Sequence, residues 1–183
     1  VGPATAHTTG RTHRLSFRGA TALFGHLGVE CDVTALDADE RAALGRLVAT
    51  YKTHRALLHG GDVVHADHPD PAVLVHGVVA ADRSEALMAV VTVASQASEV
   101  PVPVCFPGLD PATSYRVATV DTGGEVFTVS HEGPAWWPGS DAAGPVLPGS
   151  FLTEVGLPND DEFLRCYAHQ LSGGQVQRVA LAM

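Results

Sequence analysis

The chain has 183 residues, with 11 Lys and Arg against 20 Asp and Glu, and a formal net charge of −9. Hydrophobic residues make up 45% of it and charged residues 17%, which is not the low-hydrophobicity, high-charge composition of a disordered chain; a chain of this size can bury roughly 70% of the surface its unfolded form exposes. The acidic balance, with Lys52 as the single lysine, excludes the clustered Lys and Arg of a nucleic-acid footprint.

Residues 1–12 are rich in Gly, Thr and Pro and read as a loop. Over residues 13–27, Phe17, Ala20, Phe24 and Leu27 recur at helical spacing with Leu23 beside them. That segment predicts a helix closed at Gly28, where a left-handed cap is common. Residues 29–33 (VECDV) predict a short strand. Asp37 followed by Glu40 has the character of a capping box. The helix it opens carries Ala43, Leu44, Leu47, Val48, Tyr51 and Leu58 on one face and stops at Gly60-Gly61.

Beyond Gly61 the period changes. Residues 63–64, 72–80, 86–94, 100–106, 115–120 and 125–130 are β-rich runs separated by Pro, Gly, Asp and Ser. Residues 121–124 (DTGG) predict a hairpin turn. Runs such as VLVHGVV and ALMAVVTVA are apolar on both faces and belong inside a sandwich or under a covering layer. A Pro/Gly-rich stretch follows Trp136-Trp137 as far as Gly149, residues 151–167 predict a short helix, and residues 175–183 predict the start of another. The fold class expected is therefore α+β, with two helices around one strand, then an antiparallel β-sandwich, then a short helical tail.

Cys31, Cys105 and Cys166 are odd in number and form no C-x-x-C pair, which predicts reduced thiols rather than a disulfide framework or a zinc site. No apolar run approaches the roughly 20 residues of a membrane span. No charged segment followed by an apolar one opens the sequence, so no secretory signal is read and a cytoplasmic location is expected. His65 and His68, with Asp62, Asp67 and Asp70 nearby, invite a metal reading. Pro69 and Pro71 break that segment, so a polar loop between strands is expected instead. His7, His13 and His26 follow no known ligand spacing. No metal and no cofactor are expected. Trp136-Trp137 reads as a hydrophobic plug at the sheet edge rather than a sugar-stacking platform.

The segments AHTTGRTHRLSFRGATALFGHLGVECDV, YKTHRALLHGGDVV and LVHGVVAADRSEAL resemble the C-terminal third of the family 36 α-galactosidases, or melibiases, across residues 1–150. In that family a (β/α)8 barrel precedes an antiparallel β-sandwich. The resemblance implies a C-terminal barrel remnant over residues 1–60: a barrel loop, the seventh helix, the eighth strand at 29–33 and the eighth helix at 38–59. Residues 61–150 would be the sandwich. Cys31 departs from the family pattern, which has a large apolar residue there. The reaction implied is retaining hydrolysis of terminal α-galactosides, which needs two carboxyl groups roughly 5 Å apart. In the family these are aspartates in K-x-D and S-D-x-x-D settings. Neither motif occurs here, so no catalytic residue is assigned and the chain alone is expected to be inactive. By the same resemblance, His7 and Arg11 are remnants of the loop at the substrate end. A surface left facing the missing barrel would promote self-association, and a purely non-catalytic interaction module is a further reading.

A second resemblance covers about residues 152–183. Leu171-Ser-Gly-Gly-Gln175, then Val176 and Gln-Arg-Val-Ala, is similar to the signature motif of ABC transporter ATP-binding subunits, most like the oligopeptide-importer type. There, Ser172, Gly173, Gly174 and Gln175 would face a γ-phosphate at the start of a helix. No Walker A loop is present and no Walker B acid follows. Residues 151–158 (FLTEVGLP) fit both families, which puts a junction at about residues 154–162 and implies a chimera of two genes.

Overall fold

The structure, a computed structural model, describes residues 1–95, 104–124, 146–148 and 177–182. Two helices, α1 (Leu15–Leu23) and α2 (Ala38–Gly60), are followed by strands β1 (Asp62–Ala66), β2 (Val73–Val79), β3 (Ala86–Thr92), β4 (Ser114–Thr119), β5 (Val146–Pro148) and β6 (Gln177–Ala182). The strands form one six-stranded sheet in the order β1-β2-β3-β6-β4-β5, antiparallel at every junction.

The capping box at the start of α2 is as the sequence predicts. The Asp37 carboxylate accepts the Glu40 N–H at 2.8 Å, and the Glu40 carboxylate accepts the Asp37 N–H at 3.1 Å. Helix α1 is shorter than predicted. It begins at Leu15, after an extended Arg14, and ends at Leu23 with Phe24 as its C-cap. Gly28 therefore lies beyond the helix end and is not its cap.

The period-2 pleat divides the apolar residues of β2 and β3 between two faces. On one face, Val73, Val75, Val79, Ala86 and Met88 pack with Tyr115, Val117, Phe106 and Leu109. On the other, Val78, Leu87, Ala89 and Val120 pack against Ala20 and Leu23 of α1 and Leu57 and Leu58 of α2. Both faces of the central strands are thus covered, which is why their sequences read apolar throughout. The β2–β3 turn is held by an Asp82 carboxylate that accepts the Ser84 N–H and hydroxyl, and by Arg83 in the left-handed region at φ 59°. Tyr115, fully buried, donates its hydroxyl to the Arg83 carbonyl at 2.7 Å and accepts the Asp110 N–H at 2.9 Å, locking that turn to the loop before β4.

Three expectations need correction. Residues 29–33 are not a strand: Val29 and Val33 are 41% and 46% exposed, and the backbone meets a neighbour at a single point. A strand requires a continuous ladder of partners, and the apolar run alone does not supply one. Residues 177–182, expected to be helical, are strand β6, paired with β3 on one side and β4 on the other. The two open edges of β3 and β4 outweigh its helical propensity. Residues 104–106 lie outside any strand, as a segment whose Phe106 plugs the sheet. At 121–124 the chain bends, with Gly123 at φ 91° and Thr122 and Gly123 buried, and the second arm of the expected hairpin lies outside the described residues. The runs at 125–130 and 151–167, and Trp136-Trp137, lie outside the described residues.

Candidate functional site

The residues before α1 form a small closed loop. Thr5 and Thr12 make an isolated antiparallel bridge, with their hydroxyls 3.0 Å apart. The Ala6 N–H donates to Arg11 O at 2.9 Å and the His13 N–H to Ala4 O at 3.0 Å. Gly10 turns the tip at φ 68°, donating its N–H to Ala6 O at 2.8 Å. His7 and Arg11 lie in this tip, both exposed. The loop is therefore built mostly from its own backbone, leaving its two charged or titratable side chains facing outward.

What anchors the loop is Arg18, which no motif or spacing singled out. From α1 its Nε donates to His13 O at 3.1 Å, and Nη1 donates to Gly2 O. One planar guanidinium thus holds both ends of the loop. His13 stacks on Phe17 with ring centres 5.0 Å apart, fixing the entry to α1.

Ahead of this loop, the Val1 nitrogen donates to Gly28 O, while the Glu30 N–H donates to Val1 O at 3.0 Å. Bonds from one residue to positions j−1 and j+1 of a neighbour are the pattern of a parallel rung. Two short extended pieces, at Val1 and at Val29, therefore run side by side, each followed by a loop and then a helix. The second loop carries an Asx turn: the Asp32 carboxylate accepts the Thr34 hydroxyl at 2.6 Å and the Thr34 N–H at 2.9 Å. These bonds, the hydroxyl's foremost, hold the Asp32 carboxyl below the usual carboxylate range. Both loops lie on the side where the helices begin.

A histidine-rich surface occupies the opposite, C-terminal ends of the helices. His26 and His59 stack with ring centres 4.6 Å apart, and the Tyr51 hydroxyl is 2.8 Å from His59 Nε2. His76 of β2 receives Phe24 edge-on at 4.7 Å. His68 is removed from this group, since its Nδ1 accepts the Asp70 N–H at 3.0 Å and the Asp70 carboxylate caps the Ala72 N–H. Of the candidate group, Asp62 and His65 belong to strand β1, while Asp67, His68 and Asp70 form the turn into β2. Among the described residues no group of three or more His, Cys, Asp or Glu is gathered as for a metal ion. No described helix is long and apolar enough to cross a membrane. Ser172, Gly173, Gly174 and Gln175 lie outside the described residues.

Residues 1–61 match the Melibiase family and residues 72–176 match the Glycosyl hydrolase family 36 C-terminal domain. The α-galactosidase of Escherichia coli is 40% identical over 121 residues, 66% of this chain and 17% of that protein. The α-galactosidase AgaA of Geobacillus stearothermophilus is 33% identical over 112 residues, 61% of this chain and 15% of that protein. The chain thus spans about a sixth of the length of these relatives. In structure, the family 36 α-galactosidase AgaB of Geobacillus stearothermophilus superposes on all of this chain with a TM-score of 0.71 at 25% identity, using 21% of its own length. AgaA in complex with raffinose superposes with a TM-score of 0.72 at 24% identity. The C-terminal family match runs to residue 176, across the segment that resembles an ABC signature, and the residues beyond it are a strand of the same sheet. Nothing in these matches supports an ATP-binding segment or a two-gene chimera, and the matches to both parts of the family, together more than half of the sequence, make the chain a member of glycoside hydrolase family 36.

Proposed function

We propose that this chain is the C-terminal part of an α-galactosidase that hydrolyses terminal α-galactosides with retention, in carbohydrate breakdown. The observation that carries the reading is the 40% identity to a curated α-galactosidase over 121 residues, beside the matches to both parts of the family. The parallel rung between Val1 and Val29 supports the further reading that residues 1–60 are the end of a (β/α)8 barrel. Parallel strands each followed by a helix are the repeating unit of that barrel, and its active site is built from the loops leading from strand to helix. In this reading the loops holding His7, Arg11, Cys31 and Asp32 lie on the substrate face, and residues 61–150, with β6 inserted between β3 and β4, form a β-sandwich behind the helices.

The two carboxyl groups of a retaining mechanism, one attacking the anomeric carbon and one protonating the leaving oxygen, are not supplied here, because neither K-x-D nor S-D-x-x-D occurs. The role left to this chain is positional. His7 and Arg11 present polar groups at the rim of the sugar site, and the sheet props α1 and α2 from behind through Leu23, Leu57 and Leu58. Raffinose-type oligosaccharides are the substrate class. Stripped of its barrel, the helix surface is also the part through which copies would self-associate.

The test is a graft. Residues 1–124 replace the matching segment of the Escherichia coli enzyme, and turnover of a chromogenic α-galactoside is measured. The graft is expected to be active, the chain alone inactive, and Arg11→Ala in the graft to raise KM about tenfold. A folded graft without turnover, or turnover by the isolated chain, overturns the reading.

A further inference from the structure

His65 of β1 and His76 of β2 are direct partners in the antiparallel register. Such partners project from the same face with Cβ atoms roughly 5 Å apart, and their ring centres here are 6.3 Å apart with planes tilted by 39°. We propose that His65 and His76 form a cross-strand site for one divalent transition-metal ion, with water completing its coordination.

Two observations carry the assignment. The first is reach: with metal–nitrogen bonds of about 2.0–2.1 Å, each ring centre lies roughly 3.2 Å from the ion, so two rings on one ion have centres at most roughly 6.4 Å apart. The observed separation falls inside that limit, and the exposed His65 needs only a small rotation to shorten it. The second is preorganisation. His76 is half-buried and its ring is braced edge-on by Phe24 at 4.7 Å, so one ligand is fixed before the ion arrives. The chemical class follows from the donors. Two imidazoles without carboxylates favour Cu2+, Ni2+ or Zn2+ over Ca2+ or Mg2+. The sequence reading, which grouped His65 with His68, missed the site because its second ligand is eleven residues away and is brought opposite only by the strand register.

Cu2+ alone is the probe, titrated calorimetrically into the full chain and followed by electron paramagnetic resonance at one equivalent. The expected result is a first equivalent coupled to two nitrogens. It is weakened at least about tenfold by either His65→Asn or His76→Asn, with the double variant no weaker than the singles, and unchanged by His68→Asn. A spectrum with one nitrogen or none in the wild-type chain overturns the proposal. So does a first equivalent unchanged in either single variant, or an equal loss in His68→Asn.

Discussion

Gly19 and Gly45 are both interior helix positions, and propensity alone predicts the same outcome for replacing either with alanine: a gain of about 1 kcal/mol. Their surroundings predict opposite outcomes. A Cβ at Gly45 would meet nothing within 4 Å. One at Gly19 would stand 2.6 Å from the Thr122 carbonyl oxygen and 2.8 and 2.9 Å from the two Leu47 methyls. Those distances are well inside van der Waals contact, and the carbonyl is backbone, so it cannot swing aside as a side chain would. The opposing Leu47 is itself wholly buried in α2. Overpacking of a filled core costs about 1–3 kcal/mol, and with backbone on one side the upper part of that range applies. Gly19→Ala is therefore expected to destabilise the chain by about 1–2 kcal/mol net, and Gly45→Ala to stabilise it by up to about 1 kcal/mol. Urea unfolding of the full chain, followed by far-UV circular dichroism, measures both. In thermal unfolding each kcal/mol corresponds to about 2–4 °C. A Gly19→Ala protein as stable as wild type, beside a Gly45→Ala protein that behaves as expected, would refute the claim that α1, α2 and the 121–124 turn meet at backbone contact.

Removing the Tyr115 hydroxyl by Tyr115→Phe leaves the Arg83 carbonyl and the Asp110 N–H without their partner; a loss of about 2–3 kcal/mol in urea unfolding is expected, and a change under about 0.5 kcal/mol would contradict the locking role. Asp37→Ala removes one half of the capping box and is expected to cost about 1 kcal/mol, with Asp37→Ser restoring most of it in the same assay. His54 and His76 are both held below the ordinary value of 6.5, chiefly by burial, with Glu85 opposing the shift at His54 and His65 reinforcing it at His76. The unfolded chain therefore takes up protons that the folded chain refuses, so this stability is present above 6.5 and lost as the pH falls through it. Urea midpoints at about pH 7.5 and about pH 5.5 should differ in that direction, and His76→Gln should flatten the dependence. A midpoint that rises on acidification would reverse the assigned sign.

The parts of the fold legible in the sequence are those whose determinants are local. Asp37 and Glu40 lie three residues apart, and Gly60-Gly61 adjoins the last turn, so both ends of α2 could be read directly. The strands β2 and β3 announced themselves by apolar runs bounded by Pro, Asp and Ser. What could not be read is what depends on a distant partner. The residues of β6 pattern equally well as a helix, and only the vacant edges of β3 and β4 decide otherwise. Residues 29–33 have a strand-like composition but meet a single rung. At the candidate site, His7 and Arg11 could be named from the resemblance, whereas the Arg18 tether reaches back to Gly2 and His13 across a fold that no spacing rule describes. The pairing of His65 with His76 is likewise a product of register.

Strand β6 is the last of the described strands in the chain and yet it lies inside the sheet, between β3 and β4. During synthesis, β1, β2 and β3 can pair as soon as they emerge, but β3 must keep one edge unpaired until about ninety more residues have followed, and β4 cannot join the sheet without the same late strand. Contacts of such sequence separation form slowly, and an unpaired edge is a template for pairing with another chain. Any nascent or truncated form ending before residue 177 carries two such edges in place of one closed junction. The final strand is thus a timing element: it sets how long the growing chain is exposed to aggregation and to chaperones, and mutations in it should show first as lost yield of soluble protein.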